Sequence, residues 1–159
     1  MRTHMIMAID PGTAQSAYVL WDGQNKPEEF GLITNDDILS VIRDRSLNQV
    51  VIEEIRSYGM PVGVEVFDTV FWSGRFAQEA ELRCISWGRI PRQEIKTHLC
   101  NSSKAKDSNV IQSLIDRFAY NVPGKGKGTK KEPGFFFGFK KDIWQAFAVA
   151  VAWKDIKGA

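Results

Sequence analysis

Three acidic positions in this chain stand where an apolar run ends or a helix begins. Asp10 closes Met5-Ile6-Met7-Ala8-Ile9, Glu53 and Glu54 close Gln49-Val50-Val51-Ile52, and Asp142 opens an Ala-rich stretch. Uninterrupted apolar runs of this length read as strands buried on both faces. Pro11-Gly12 ends the first run, because proline removes a backbone donor and glycine permits a tight turn. A carboxylate on a strand tip is a hard oxygen ligand on a rigid support, which suits a divalent cation. Taken singly, Asp10 reads more simply as a turn-capping residue before Pro-Gly. Asp142 alone reads as a helix-start charge favoured by the dipole. Only convergence would turn these residues into a site.

The intervening elements decide whether they converge. Residues 16–21 continue from the Pro-Gly turn as a second strand, and 28–33 as a third, which gives an antiparallel meander. Asn35 or Asp36 is placed to cap a helix over about 37–45. The 49–54 strand follows that helix, so a right-handed crossover lays it parallel to the first strand and beside it. The carboxyl tips of the two strands then meet at one edge, where open α/β sheets place their ligands. Alternation sends Glu53 and Glu54 to opposite faces, so only one of them joins Asp10. Three acids at three element ends fit a two-metal phosphoryl-transfer site, with cations about 4 Å apart. Clustered anions repel, so a fold that keeps them implies a cation or a strongly basic neighbour.

The rest of the chain reads as support. A long helix is expected over 64–82, with Val66, Phe67, Val70, Phe71, Phe76 and Ala77 supplying core. A fifth strand is expected over 83–87. Pro91 opens a short helix holding Lys96 and His98, and Ser102 or Ser103 caps another through Val110 and Phe118. Residues 123–134 carry four lysines and four glycines and read as a mobile basic loop before a final helix over 141–154. The order predicts an α/β fold with a five-stranded mixed sheet in a single domain across 1–159. Length agrees, since 159 residues are too few for two ordinary domains. The 43% apolar and 25% charged fractions are those of a globular protein, and a net charge of +2 excludes little. Cys84 and Cys100 form no CxxC, so a reducing, cytoplasmic setting and no zinc site are expected. No apolar run is long enough to cross a membrane, and the N-terminus runs directly into the first strand without a signal peptide.

Ile9-Asp10-Pro11-Gly12-Thr13, Val51-Ile52-Glu53-Glu54 and Lys141-Asp142-Ile143-Trp144-Gln145-Ala146-Phe147-Ala148-Val149-Ala150 together resemble the RuvC family of Holliday-junction resolvases. Pro91-Arg92-Gln93-Glu94-Ile95-Lys96 and Ala105-Lys106-Asp107-Ser108-Asn109-Val110 resemble the basic stretch between that family's second and last acidic motifs. The Gly/Lys-rich segment through Phe139 is similar to phage-encoded members, which would place the protein in a host cytoplasm. The resemblance implies a ribonuclease-H-like fold, a homodimer, and Mg²⁺-dependent nicking of branched DNA, four-way junctions above all, with Mn²⁺ substituting. It implies that Asp10, Glu53 and Asp142 ligate metal, while Glu54 faces away into a salt link. It places Lys96 near the scissile phosphate, and Arg56, Tyr58 and Met60 where the family wedges into the junction centre. The chain departs from the family at Gln145, where a second acid is common. An amide offers Mg²⁺ a neutral oxygen but no charge, which leaves three formal anions instead of four.

Lys104, Lys106, Lys125, Lys127, Lys130 and Lys131 would meet backbone phosphates with little sequence preference. Stacking of Tyr58 on an unpaired base is chemically sensible. Three other readings compete. A sugar-kinase or actin-like ATPase shares the Asp and Gly-Thr hairpin but needs a second domain. A junction-binding module without catalysis would explain Gln145. A nuclease for flaps, forks or RNA would use the same fold.

Overall fold

The computed structural model describes residues 4–158. Five strands form one sheet in the order β3-β2-β1-β4-β5. They are β1 (Ile6–Asp10), β2 (Gln15–Trp21), β3 (Glu29–Thr34), β4 (Gln49–Glu54) and β5 (Ser86–Pro91). β1 pairs antiparallel with β2, and β2 with β3, whereas β4 lies parallel to both β1 and β5. Among the described residues there are five α-helices, α1 (Asn35–Asp44), α2 (Val64–Leu82), α3 (Arg92–Cys100), α4 (Asp107–Phe118) and α5 (Ile143–Lys157), and a short 3-10 turn at Gly124–Gly126. The expected mixed sheet, with its first three strands antiparallel, is the one observed.

Strand alternation divides the core into two layers. Met7 and Ile9 of β1, with Val50 and Ile52 of β4, pack under α1 and α2 against Ile38, Ile42 and Phe76. Ile6, Ala8 and Val51 face the other way, onto α4, α5 and an aromatic cluster of Phe136, Phe139 and Phe147. α5 is buried on every side from Ile143 to Ala152. The sheet covers one flank and α4 with the phenylalanine-rich segment covers the other, so alanines are needed wherever backbones approach. At its far end Asp155 binds Arg117 of α4 and His98 of α3, at 2.8 Å to each through different oxygens. Arg117 and His98 together hold the Asp155 carboxyl down at about 2.

Several sequence expectations shift. The fifth strand runs from Ser86 to Pro91 rather than over 83–87, because α2 reaches Leu82 and Cys84 then turns through a left-handed φ of 57°. α1 is capped by Thr34, whose hydroxyl accepts from the Asp37 amide at 3.1 Å, and not by Asn35 or Asp36. α4 starts at Asp107 with Lys106 as its cap; the Asn109 side chain accepts from the Lys106 amide, and neither Ser102 nor Ser103 serves. In α2 only the second half packs as expected. Phe76 and Ala77 are buried, but Phe67 and Phe71 are 65% and 69% exposed and Val70 lies largely open. Among the described residues nothing covers the apolar side of the helix's N-terminal half. Residues 123–134, expected to be a mobile loop, have defined backbone structure. The Gly134 amide donates to the Lys127 carbonyl and Phe136 to Gly126, at 2.9 and 3.0 Å.

β5 is an edge strand covered by the Trp153 indole of α5. A Cβ on Gly88 would lie 2.2 Å from that ring. Gly88→Ala is therefore expected to destabilise the fold by about 1–3 kcal/mol, as overpacked sites do. A urea melt of the variant and wild type checks this.

Candidate active site

β1 and β4 are aligned so that Ile9 stands beside Ile52, and one step further on Asp10 stands beside Glu53. Asp10 follows Ala8, and Glu53 follows Val51, on the face that looks toward α5. Glu53 in turn pairs with Ile90 of β5, another residue of that face. Alternation thus brings two carboxyl groups together on one side of the sheet, at the carboxyl ends of its parallel strands. Glu54 points to the opposite face, where Arg89 lies 3.3 Å away and Arg56 also bonds it. Of the two glutamates, Glu53 is the one that meets Asp10.

The two carboxyls share a hydrogen bond, and Glu53 is only 4% exposed. Burial first, then the charge and hydrogen bond of Glu53, then the charge of Asp142, push Asp10 up to about 9. Arg92 opposes them. Without a cation the pair thus retains a proton at neutral pH, as two crowded carboxylates must.

The backbone after Asp10 is tied down. The Ser16 hydroxyl donates to Asn35 Oδ1 at 2.6 Å, the Asn35 amide donates to the Gly12 carbonyl at 3.0 Å, and the Gly12 N–H donates to Ser16 Oγ at 3.1 Å. A Cβ on Gly12 would lie 2.2 Å from the Gln15 carbonyl oxygen, so only glycine fits this turn. The expectation of Asn35 as a helix cap missed this role; a buried amide inside the first turn does not announce its partners in sequence.

A cleft of about 370 Å³ opens over the pair, walled by Asp10, Gly12, Thr13, Glu53, Arg56, Tyr58, Thr69 and Arg92. Arg92 was not singled out in sequence. Its Nη1 lies 3.6 Å from Glu53 Oε1, and its Nη2 bonds Asp107 at the start of α4. Lys96, one turn later on α3, has its ammonium 4.0 Å from the same Asp107 oxygen and is 18% exposed. Both cations therefore stand on one helical face beside Asp107, and of the two Arg92 is the one that reaches the carboxyls. The misplaced fifth strand hid Arg92: with β5 ending at Pro91, Arg92 emerges directly after it.

The remaining residues are spread more widely. Asp142 sits at the N-cap of α5 but makes no capping bond with its side chain, so its simplest reading is not realised. It is exposed and acts on Asp10 through its charge, and Gln145 lies buried one turn into the helix. Among the described residues no three His, Cys, Asp or Glu groups lie together as a ready cation shell. Tyr58, with φ of 51°, receives the Gln93 amide on its hydroxyl at 3.4 Å. Lys104 lines a separate groove between α3 and α4, with Gln112 and Arg117. Lys106 caps α4 next to Asp107.

The loop lysines Lys125, Lys127, Lys130 and Lys131 belong to a segment anchored elsewhere. Gly126 packs on Ala119 after α4, and Lys26 in the β2–β3 turn donates to the carbonyls of Gly134 and Phe137, at 3.2 Å each. That turn follows Trp21, which pairs with Ile6 at the start of β1. The loop is thus moored on the β2–β3 turn and on the aromatic cluster beside α5.

No family model and no curated protein matches this sequence. Solved structures do match. The Thermus thermophilus RuvC structure superposes with a TM-score of 0.69 over 97% of this chain and 96% of its own, at 12% identity. T. thermophilus RuvC in complex with a Holliday junction substrate gives 0.64 over 98% and 96%, at 13% identity. The chain has the RuvC fold. That fold is ribonuclease-H-like, as the sequence motifs implied. No described helix is long and apolar enough to cross a membrane.

Asp10 also sets a stability prediction. Its folded-state pKa lies above its unfolded value, so the folded form holds the proton more tightly, and stability falls as pH rises from about 4 toward 9. Asp10→Asn should therefore stabilise the cation-free protein at pH 8 by about 1–2 kcal/mol, and by less at pH 5. Thermal melts in EDTA at both pH values measure the difference.

Proposed function

We propose that this protein is a divalent-cation-dependent endonuclease that nicks branched DNA, with four-way junctions as its principal substrate. The observation that carries the reading is the Asp10–Glu53 pair, aligned on one face at the carboxyl ends of β1 and β4, beneath a cleft walled on one side by Arg92. The RuvC fold supports it, and one matched RuvC is in complex with a Holliday junction substrate.

The donor set fits a hard cation. Asp10 and Glu53 would hold Mg²⁺ or Mn²⁺ directly, since two buried carboxyl groups side by side offer hard oxygen ligands whose charges a divalent cation would offset. Asp142 and the Gln145 amide would supply further oxygens from α5. When bound, the cation supplies Lewis-acid stabilisation of charge developing on the phosphate. Lys96 would hold a phosphate oxygen against that charge. Water attacks phosphorus, leaving 5′-phosphate and 3′-hydroxyl ends. Tyr58, Arg56 and Met60 stand at the cleft mouth or beside it, exposed, where an unstacked base would find an aromatic face. Lys104, in its separate groove between α3 and α4, Lys106 and the four loop lysines would bind backbone phosphates away from the cleft.

Symmetrical nicking needs two copies. The unpartnered side of α2, with Val64, Phe67 and Phe71 all more than 60% exposed, supports a homodimer through this helix. Phe71→Asp should shift sedimentation from dimer to monomer at micromolar concentration; a monomeric wild type removes this part of the reading.

Labelled four-way junction, flap, fork, duplex and RNA/DNA hybrid, each incubated with Mg²⁺, test the activity. The junction should be cut fastest, and Asp10→Asn and Glu53→Gln should lower the rate at least about 1,000-fold while junction binding persists. Binding without cation-dependent cutting of any substrate would establish a junction-binding module instead. Faster cutting of flaps or hybrid would reassign the substrate.

A further inference from the structure

The acidic pair has a partner that the metal-ligand reading does not use. Arg92 walls the same cleft as Asp10 and Glu53. Its Nη1 is 3.6 Å from Glu53 Oε1, an ion-pair separation that does not consume the guanidinium's donors in a tight hydrogen bond. From the other side Asp107 bonds Nη2, so the group is held by a residue outside the acidic pair. The side chain is 37% exposed, which leaves an edge of the fork open to the cleft. On the acidic side, Asp142 is exposed, and Gln145 brings an amide without charge. Asp10, Glu53 and Asp142, whose charge also acts on Asp10, make three anions, and Arg92 offsets one of them, which leaves the charge that one divalent cation balances and less than two would need.

We propose that Arg92, tethered by Asp107, is the fixed second positive charge of the site: it balances the Asp10–Glu53 pair, receives a phosphate oxygen of the substrate, and leaves the site to operate with a single divalent cation. Arginine suits this role better than lysine, because its planar fork can keep one bond to a carboxylate while offering the other edge to a phosphate. Asp107 is then a positioning residue. It sits between Arg92 and Lys96, one helical turn apart on α3, and fixes the guanidinium of Arg92 at the cleft wall. The inference rests on the nuclease reading for its phosphate, and on the chain's own charges for its cation count.

Two measurements separate those parts. Mn²⁺ titration calorimetry on the DNA-free protein should give one cation per chain. Arg92→Met, which removes the competing charge, should bind Mn²⁺ about tenfold more tightly, and Arg92→Lys should return to wild-type affinity. Single-turnover cutting of a four-way junction should fall about 100-fold in Arg92→Met and recover only in part in Arg92→Lys. Asp107→Asn should slow cutting about tenfold while leaving the Mn²⁺ stoichiometry at one. Unchanged melting temperatures across the three variants would exclude misfolding, and Asp107→Asn provides the test if Arg92→Met proves unstable. Two Mn²⁺ per wild-type chain, or Arg92→Met with unaltered affinity or cutting, overturns the proposal. If the wild type cuts no branched DNA but Mn²⁺ affinity still rises in Arg92→Met, the nuclease reading fails and the charge balance stands.

Discussion

Two carboxyl groups held side by side at the edge of a sheet repel, and the surrounding fold has to contain them. Asp10 and Glu53 are brought together by strand register and by nothing else: β1 and β4 run parallel, in step, with the same face toward α5. Neither group can move away, because each sits at the end of a strand whose apolar residues are fully buried. Hydrophobic burial along the central strands, at about 25 cal/mol per Å², outweighs the local repulsion. The site is in this sense a corner of a well-packed sheet where two carboxyl groups are held together by burial of their neighbours.

The surroundings temper the repulsion unevenly. Arg92 and Lys96 approach from α3, on the β5 side, and Asp107 links them to α4. Asp142 approaches from α5 with more negative charge. The cleft is thus polarised, with Arg92 at one wall and the carboxyl groups at its floor.

Much of the fold was legible in the sequence because the central strands are fully apolar. Met5–Ile9 and Gln49–Ile52 admit no other reading, and the Pro-Gly stop fixes where Asp10 must stand. Legibility failed where one pattern serves two purposes. Phe67, Val70 and Phe71 have the spacing of a core helix, yet helical periodicity reports an apolar side without saying what covers it. The start of β5 was misread because Arg83-Cys84-Ile85 continues the hydrophobic texture of a strand, whereas Cys84 in fact turns the chain. The strand's end accordingly lies four residues later than expected, at Pro91, and Arg92 follows it directly to the cleft. The Lys loop showed its charge in sequence but not its mooring, since Lys26 lies about a hundred residues earlier.

The triangle of Ser16, Asn35 and Gly12 has a consequence for when order is acquired. A turn joined by three mutual hydrogen bonds, with two of its members buried, has few alternative conformations left to it. The conformational entropy of the chain beside Asp10 is therefore surrendered during folding rather than when a ligand arrives. A binding partner meets a surface whose shape is already settled, and its free energy goes into contact rather than into arranging the loop.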